Sequence, residues 1–306
     1  MYKYVLQRLA WALPTALLVL LAVFSLMHLT PGDPARLVAG DDARLETVEE
    51  VRRELGLDRP LIEQFTQYVG KLVRLDFGRS IHSKRPVRDD LAQRLPATLQ
   101  LAVTSLLIAV SAGGLLGVLS AVKRGTWWDV GGVLTASMLV SAPSFWVGLM
   151  LILLFAVSLG WLPPAGRGGI ENLILPAVTL AGNPMALIAR LMRSECLEVL
   201  GEDYVRTARA KGLRERVVLF RHAVRNALLP VMTVVGLQFG AAMAGAVVVE
   251  TVFGWPGVGS LLVTAIFRRD FPIVQSTVLV VALIFLTVNF LVDLAYAYVD
   301  PRVRYQ

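Results

Sequence analysis

Six stretches of this chain run on without a single Asp, Glu, Lys or Arg: Leu9 to Met27, Leu99 to Val122, Val130 to Leu159, Leu173 to Ala189, Ala227 to Val249 and Ile273 to Val292. A helix that crosses the hydrocarbon core of a bilayer needs about 20 mostly apolar residues. The runs therefore predict an all-α integral membrane protein with six transmembrane helices. Composition agrees, since only 17% of the 306 residues are charged, against roughly 25% in an ordinary soluble domain. The mean hydropathy is +0.63. Disordered and collagen-like classes are excluded on the same grounds, and Cys196, the single cysteine, excludes a disulfide scaffold.

Charge sets the expected orientation. With Lys3 and Arg8 inside, the inner segments hold 15 basic residues, whereas the short outer loops hold only Arg167, Arg268 and Arg269. Basic residues in short loops favour the cytoplasm, so both termini are expected there. The other 12 basic residues lie between Thr30 and Thr98 beside 12 acidic ones; a segment this long and neutral can be translocated. The net charge of +7 is thus explained by membrane orientation and does not call for nucleic acid. The first apolar run is longer than the roughly 7–15 residues of a signal peptide, with no small-x-small site before Thr30, and reads as a retained anchor.

The outer segment predicts helices of its own. Thr47 and Glu50 have the spacing of a capping box, with Gly56 as the stop. Phe65, Tyr68, Val69, Leu72 and Leu75 form a helical stripe. A third short helix is expected from Pro86, with Leu91 and Leu95 on its buried side. Pieces this small are expected to pack on the outer ends of the spanning helices or against a partner.

No phosphate cradle is visible, the only Gly-Lys pair being Gly70-Lys71, and His28, His82 and His222 lie on separate segments without metal-ligand spacing. No Gly-x-Ser-x-Gly supports a hydrolase. The chain thus carries no catalytic, cofactor or metal site of its own. Ionisable residues deep in the apolar runs are scarce; Asp293, with Asn289 one turn before it, is the candidate on a pathway, the alternative being a contact with Arg302 or Arg304.

The segment from Arg190 to Asn226 is the most informative. Glu202 and Asp203 stand at the start of an expected short helix, and Arg209 and Lys211 near its close before Gly212, the order that the helix dipole favours. Physics alone leaves two readings, a docking helix or a solvated basic loop touching anionic lipid.

Glu202-Asp203-Tyr204-Val205-Arg206-Thr207-Ala208-Arg209-Ala210-Lys211-Gly212, followed by Arg225-Asn226-Ala227-Leu228-Leu229-Pro230, resembles the EAA loop of ABC importer permeases. More narrowly, it resembles the dipeptide and oligopeptide group. Thr30-Pro31-Gly32-Asp33-Pro34, Leu55-Gly56-Leu57-Asp58-Arg59-Pro60, Asp76-Phe77-Gly78-Arg79-Ser80, Glu250-Thr251-Val252-Phe253-Gly254-Trp255-Pro256-Gly257-Val258-Gly259 and Asp300-Pro301-Arg302-Val303-Arg304 are similar to that group as well. The resemblance spans the chain and is to the first of the two permease subunits. The general family pattern has Glu-Ala-Ala where this chain has Arg206, Thr207 and Ala208, so a contact made by that Glu is not carried over to Arg206.

The resemblance implies a type I ABC importer permease in a bacterial or archaeal plasma membrane, forming half of a pathway for di- or oligopeptides. Residues 1–306 would be one permease domain, with an outer insertion at 30–98 and a coupling loop at 194–226. It implies a second homologous permease, two cytoplasmic ATPases that bind ATP and Mg, an extracytoplasmic substrate-binding protein, and lipid around the helices. ATPase coupling then falls to Glu202, Asp203, Arg206, Thr207, Ala208, Arg209, Lys211 and Gly212. Candidates for pathway and gate are Ser141, Pro143, Phe145, Trp146, Glu250, Phe253, Trp255, Asn289 and Asp293. Gly113, Gly114, Gly117, Pro143, Pro176, Pro184, Gly240 and Gly245 are candidate hinges, with plain helix packing as the other reading. The alternative function is a secondary carrier or channel for small polar solutes.

Overall fold

The apolar runs become helices, though not all in the predicted shape. The computed structural model describes residues 2–29, 33–40, 43–54 and 56–299. Residues 30–32, Leu55 and 300–306, which belong to three of the quoted motifs, lie outside that set, as does the side chain of Asp293. In chain order the helices are α1 (Tyr2–Leu29), α2 (Pro34–Ala39), α3 (Leu45–Glu54), α4 (Leu61–Val73), α5 (Val87–Val122), α6 (Trp127–Ser141) and α7 (Ser144–Leu151). They continue with α8 (Ile170–Gly201), α9 (Asp203–Ala210), α10 (Glu215–Val217), α11 (Arg225–Val252), α12 (Val258–Phe267) and α13 (Phe271–Val299). Wider π-helical turns extend α7 over Ile152–Ser158 and lead into α11 over Val218–Val224. No sheet forms among the described residues.

Four helices are long and apolar enough to cross a membrane: α5, α8, α11 and α13. The run from Val130 to Leu159, predicted as one span, is instead bent by 107° between α6 and α7. The cause is local: Ala142 takes an extended conformation (ψ 128°) before Pro143, the geometry towards which a proline ring biases the residue before it. Counted as one broken span, this pair makes five; the apolar stretch of α1, Ala10–Ser25, is shorter.

Three further boundaries differ from expectation. The helix expected to start at Pro86 is not separate, because α5 runs unbroken from Val87 through Pro96 to Val122. Likewise α8 continues past Ala189 to Gly201 and takes up the first part of the expected inner loop. The Thr47–Glu50 capping box does not form, since α3 already starts at Leu45. Gly56 does end that helix: at φ +69° it allows Gly56 N–H to reach Arg53 O and Leu57 N–H to reach Arg52 O, at 3.0 and 2.9 Å, a Schellman closure.

The bundle core is built on α5, α8 and α11, around Leu101, Leu180, Met243 and Phe253. α5 lies almost against the backbone of α8, because a Cβ on Gly113 would stand 2.5 Å from Met185 O, and one on Gly117 2.5 Å from Ala189 O. Gly240 is similarly covered by the Phe285 ring, whereas nothing stands within 4 Å of Gly114. Pro176 and Pro184 are buried inside an uninterrupted α8. Among the candidate hinges, Pro143 is the one at an actual bend.

At the end of the bundle opposite α9, the segment after α1 packs on the helix ends as expected. Phe24 of α1 meets Phe65 and Tyr68 of α4 at ring distances of 5.4 and 5.9 Å. Val87 and Leu91 are buried with Val258, Leu261 and Ile273. Buried Asp270 accepts hydrogen bonds from Ser80 Oγ (2.5 Å) and Ile81 N–H (3.2 Å), which fastens the loop before α5.

Candidate functional site

The sequence order Glu202-Asp203…Arg209…Gly212 gives a helix of two turns. Asp203 occupies its first turn and Arg209 its last, each at the end where its charge is favoured. Gly212, at φ +77°, closes it by the same device as Gly56: Gly212 N–H donates to Arg209 O and Leu213 N–H to Ala208 O. Only Val205 and Ala208 of α9 are buried, where they meet Val199, Leu200 and Val218. Of the eight residues expected to couple to an ATPase, Ala208 therefore faces inward and the other seven are exposed. The Asp203 side chain is 97% exposed and that of Arg206 74%.

Two side-chain contacts stiffen this end. Arg209 grips Glu215 with two N–H groups, at 2.7 and 3.2 Å, and the guanidinium holds that carboxyl below the usual carboxylate range. Asn226 Nδ2 donates to Tyr204 Oη at 2.9 Å, which ties α9 to the start of α11. The result is a short helix with its apolar side sealed and its charged side exposed.

The predicted gate residues at 250–259 form a knot at the opposite end. Fully buried Glu250 accepts from Thr98 Oγ1 (2.5 Å) and from Ser260 N–H (2.9 Å). Thr98 Oγ1 accepts in turn from Val258 N–H at 2.8 Å. Trp255 Nε1 donates to Ala97 O at 3.0 Å, and Phe253 and Trp255 are each 1% exposed. A Cβ on Gly257 would collide with the Glu250 carboxylate, and one on Gly259 would lie 2.6 Å from Val247 Cα. These aromatics therefore sit inside the protein, pinning the turn onto α5.

Ser141, Pro143, Phe145 and Trp146 lie at the α6–α7 bend and are exposed. One turn further on, a Cβ on Gly148 would stand 3.0 Å from the Phe253 ring and 3.3 Å from the Thr179 methyl group, so bend and knot adjoin. Asn289 lies apart on α13, where Nδ2 donates to Phe285 O at 3.0 Å. An apolar cavity of about 510 Å³ lies between α11, α12 and α13, lined by Gly240, Met243, Val247, Val281 and Phe285 among others.

One pair was missed by sequence reasoning. Arg193 of α8 donates from Nε to Asp129 Oδ1 (2.7 Å) and from Nη2 to Asp129 Oδ2 (2.9 Å), and Gly125 N–H adds a third bond at 3.1 Å. The one signal available was a carboxylate abutting an apolar run at Val130.

The chain matches the family model of the binding-protein-dependent transport system inner membrane component over residues 113–305, and that of the N-terminal part of such membrane components over residues 1–102. It is 45% identical over 306 residues to the glutathione transport system permease protein GsiC of Escherichia coli strain K12, covering 100% of both chains. The protein of the same name from Salmonella choleraesuis is similar to the same extent, 45% over 100% of both chains. Among solved structures, it resembles the MetNI methionine ABC transporter in inward-facing form, with a TM-score of 0.59 and 17% identity over 69% of this chain and 96% of that one. An amino acid ABC transporter gives a TM-score of 0.55 and 16% identity over 69% of this chain and 94% of the other. At these identities the likeness is one of fold.

Proposed function

The chain belongs to the inner membrane components of binding-protein-dependent transport systems, the permease subunits of ATP-driven importers, and from that premise we propose that it forms half of a pathway for small peptides and docks a cytoplasmic ATPase through α9. The observation that carries the docking assignment is the two-sided character of α9. Its apolar side is sealed by Val199, Leu200 and Val218, which leaves seven of the eight expected coupling residues exposed on the side a partner would meet.

Peptide-like cargo is supported by the relatives named for glutathione, itself a short peptide, at 45% identity over the full chain. The partners are a second permease, two ATPases that bind ATP and Mg, and a substrate-binding protein on the side of residues 33–86. The excess of basic residues in the segments on the α9 side supports cytoplasmic termini, with α1 as the sixth span. The exposed bend at Ser141–Trp146 is the proposed pathway surface, since interrupted helices mark such surfaces in transporters. The 250–259 knot is the proposed outer stop beside it.

Replacing Glu202 and Asp203 together by Lys tests the docking assignment. Both side chains are exposed, and Glu202, at the N-cap of α9, makes no side-chain capping bond, so membrane insertion is expected to be unchanged. Opposed like charges at an interface cost several kcal/mol, so ATPase co-purified with the tagged protein is expected to fall at least about tenfold, and uptake with it. Unchanged ATPase capture and unchanged uptake would sink the assignment. Uptake by the isolated chain in vesicles without ATP would instead establish the carrier reading.

A further inference from the structure

α6 packs against α8 and α5, yet of its residues only Asp129 and Ala136 are buried, and a Cβ on Gly132 would run into Ser120 Oγ. The rest of its surface is largely exposed and apolar, with Trp127, Trp128, Leu134 and Met138 pointing away from the bundle. Against that background the Asp129–Arg193 fork is the one strong, directional connection between α6 and α8. Its Asp side chain is 8% exposed and its Arg side chain 29%. A two-pronged guanidinium–carboxylate contact fixes orientation as well as distance.

The positions of the two partners matter as much as the bond. Arg193 lies on the last turns of α8, which ends at Gly201 and passes straight into α9 through Glu202. By helical rise it stands about 13 Å from Glu202. Asp129 lies in the first turn of α6, about 20 Å along the axis from Pro143, where the chain bends by 107°.

We propose that the Asp129–Arg193 fork is the positioning contact that carries a displacement of α9, through α8, into α6 and so to the bend at Pro143. The proposal rests on the reading of α9 as the docking helix. When α9 and the end of α8 are pushed, α5 follows because Gly113 and Gly117 press on α8. α6 follows because the fork holds it. Without the fork, nucleotide-driven movement at α9 continues, but the bend no longer moves in step.

The test uses the whole importer, both permeases, ATPases and binding protein, reconstituted in lipid vesicles, with Asp129→Asn, Arg193→Gln, Arg193→Lys and the exchange Asp129→Arg with Arg193→Asp. ATP hydrolysis and peptide import are measured together. In Asp129→Asn and Arg193→Gln, hydrolysis stays near that of the unaltered protein while peptide imported per ATP falls about fivefold or more, the low end of ordinary coupling between sites. Arg193→Lys, a charge without the fork, gives an intermediate ratio, and the exchange recovers part of the loss. An unchanged ratio in both single variants overturns the proposal. So does a parallel loss of hydrolysis and import, the mark of a purely structural pair. If the single variants fail to assemble, the exchange decides: an assembled exchange variant with a restored ratio supports the fork, and one with a low ratio overturns it. The Glu202 and Asp203 reversal separates this from the premise. Loss of ATPase capture there, with a normal ratio in Asp129→Asn, removes the present proposal alone.

Discussion

Gly117→Leu is expected to leave little folded protein in the membrane, while Gly114→Ala, three residues away on the same helix, leaves it unchanged or slightly raised. The two positions are alike in sequence and opposite in space. A Cβ on Gly117 would stand 2.5 Å from Ala189 O and 2.7 Å from Met192 Cβ, whereas one on Gly114 meets nothing within 4 Å. Overfilling a packed interior costs about 1–3 kcal/mol, and more where backbone must move; here the obstruction is a backbone carbonyl. In lipid no hydrophobic force is left to pull the helices back together, because association depends on close packing itself. At Gly114 the gain in helix propensity, up to about 1 kcal/mol, is free of that penalty. Thermal unfolding of the purified protein in detergent reads both effects. A Gly117→Leu protein melting with the unaltered one would refute the packing account.

The second large effect is at the knot. Glu250→Leu is expected to strip the turn at 253–259 from α5, because it orphans the Ser260 amide and removes the acceptor of the Thr98 hydroxyl. Each buried group left unpaired costs about 1–3 kcal/mol, a large share of the roughly 5–15 kcal/mol that holds a domain folded. Glu250→Gln is expected to be milder, since its carbonyl still accepts from Ser260 N–H and its amide can donate to Thr98 Oγ1, which leaves the Thr98 hydroxyl proton without its acceptor but keeps the turn bonded to α5. Proteolysis within 253–259 measures the difference, with fast cleavage in the Leu variant and slow cleavage in the Gln variant. Equal cleavage of the two would mean that the carboxylate does not hold the turn.

Much of this was legible in the sequence because lipid writes a coarse code. Freedom from charge over about 20 residues located the helices at α5, α8, α11 and α13. Glu202, Arg209 and Gly212 gave α9 its ends, since dipole and left-handed glycine are local effects. What charge cannot encode is direction. The run around Pro143 is as apolar as its neighbours, so the solvent criterion passed over a bend that the proline itself announced. The short helix expected from Pro86 is not separate from the apolar run at Leu99, because α5 continues through Pro96. Phe253 and Trp255 read as candidates for gate surface, with a tight turn as the equal alternative at Trp255-Pro256-Gly257; their burial was not legible, because it depends on α5 lying across the turn. The Asp129–Arg193 fork joins positions 64 apart, a pairing that no local pattern specifies.

The length of α5 has a consequence for how the molecule comes apart. At 36 residues it is a rod of about 54 Å, well over the roughly 30 Å of hydrocarbon. Its first turns stand beyond the bilayer and bury Val87 and Leu91 against α12 and α13. The outlying segment is therefore joined to the membrane bundle by a stiff strut and not by a tether. On heating, the two are expected to lose structure in one cooperative step, with no temperature at which the outer part has melted and the bundle has not.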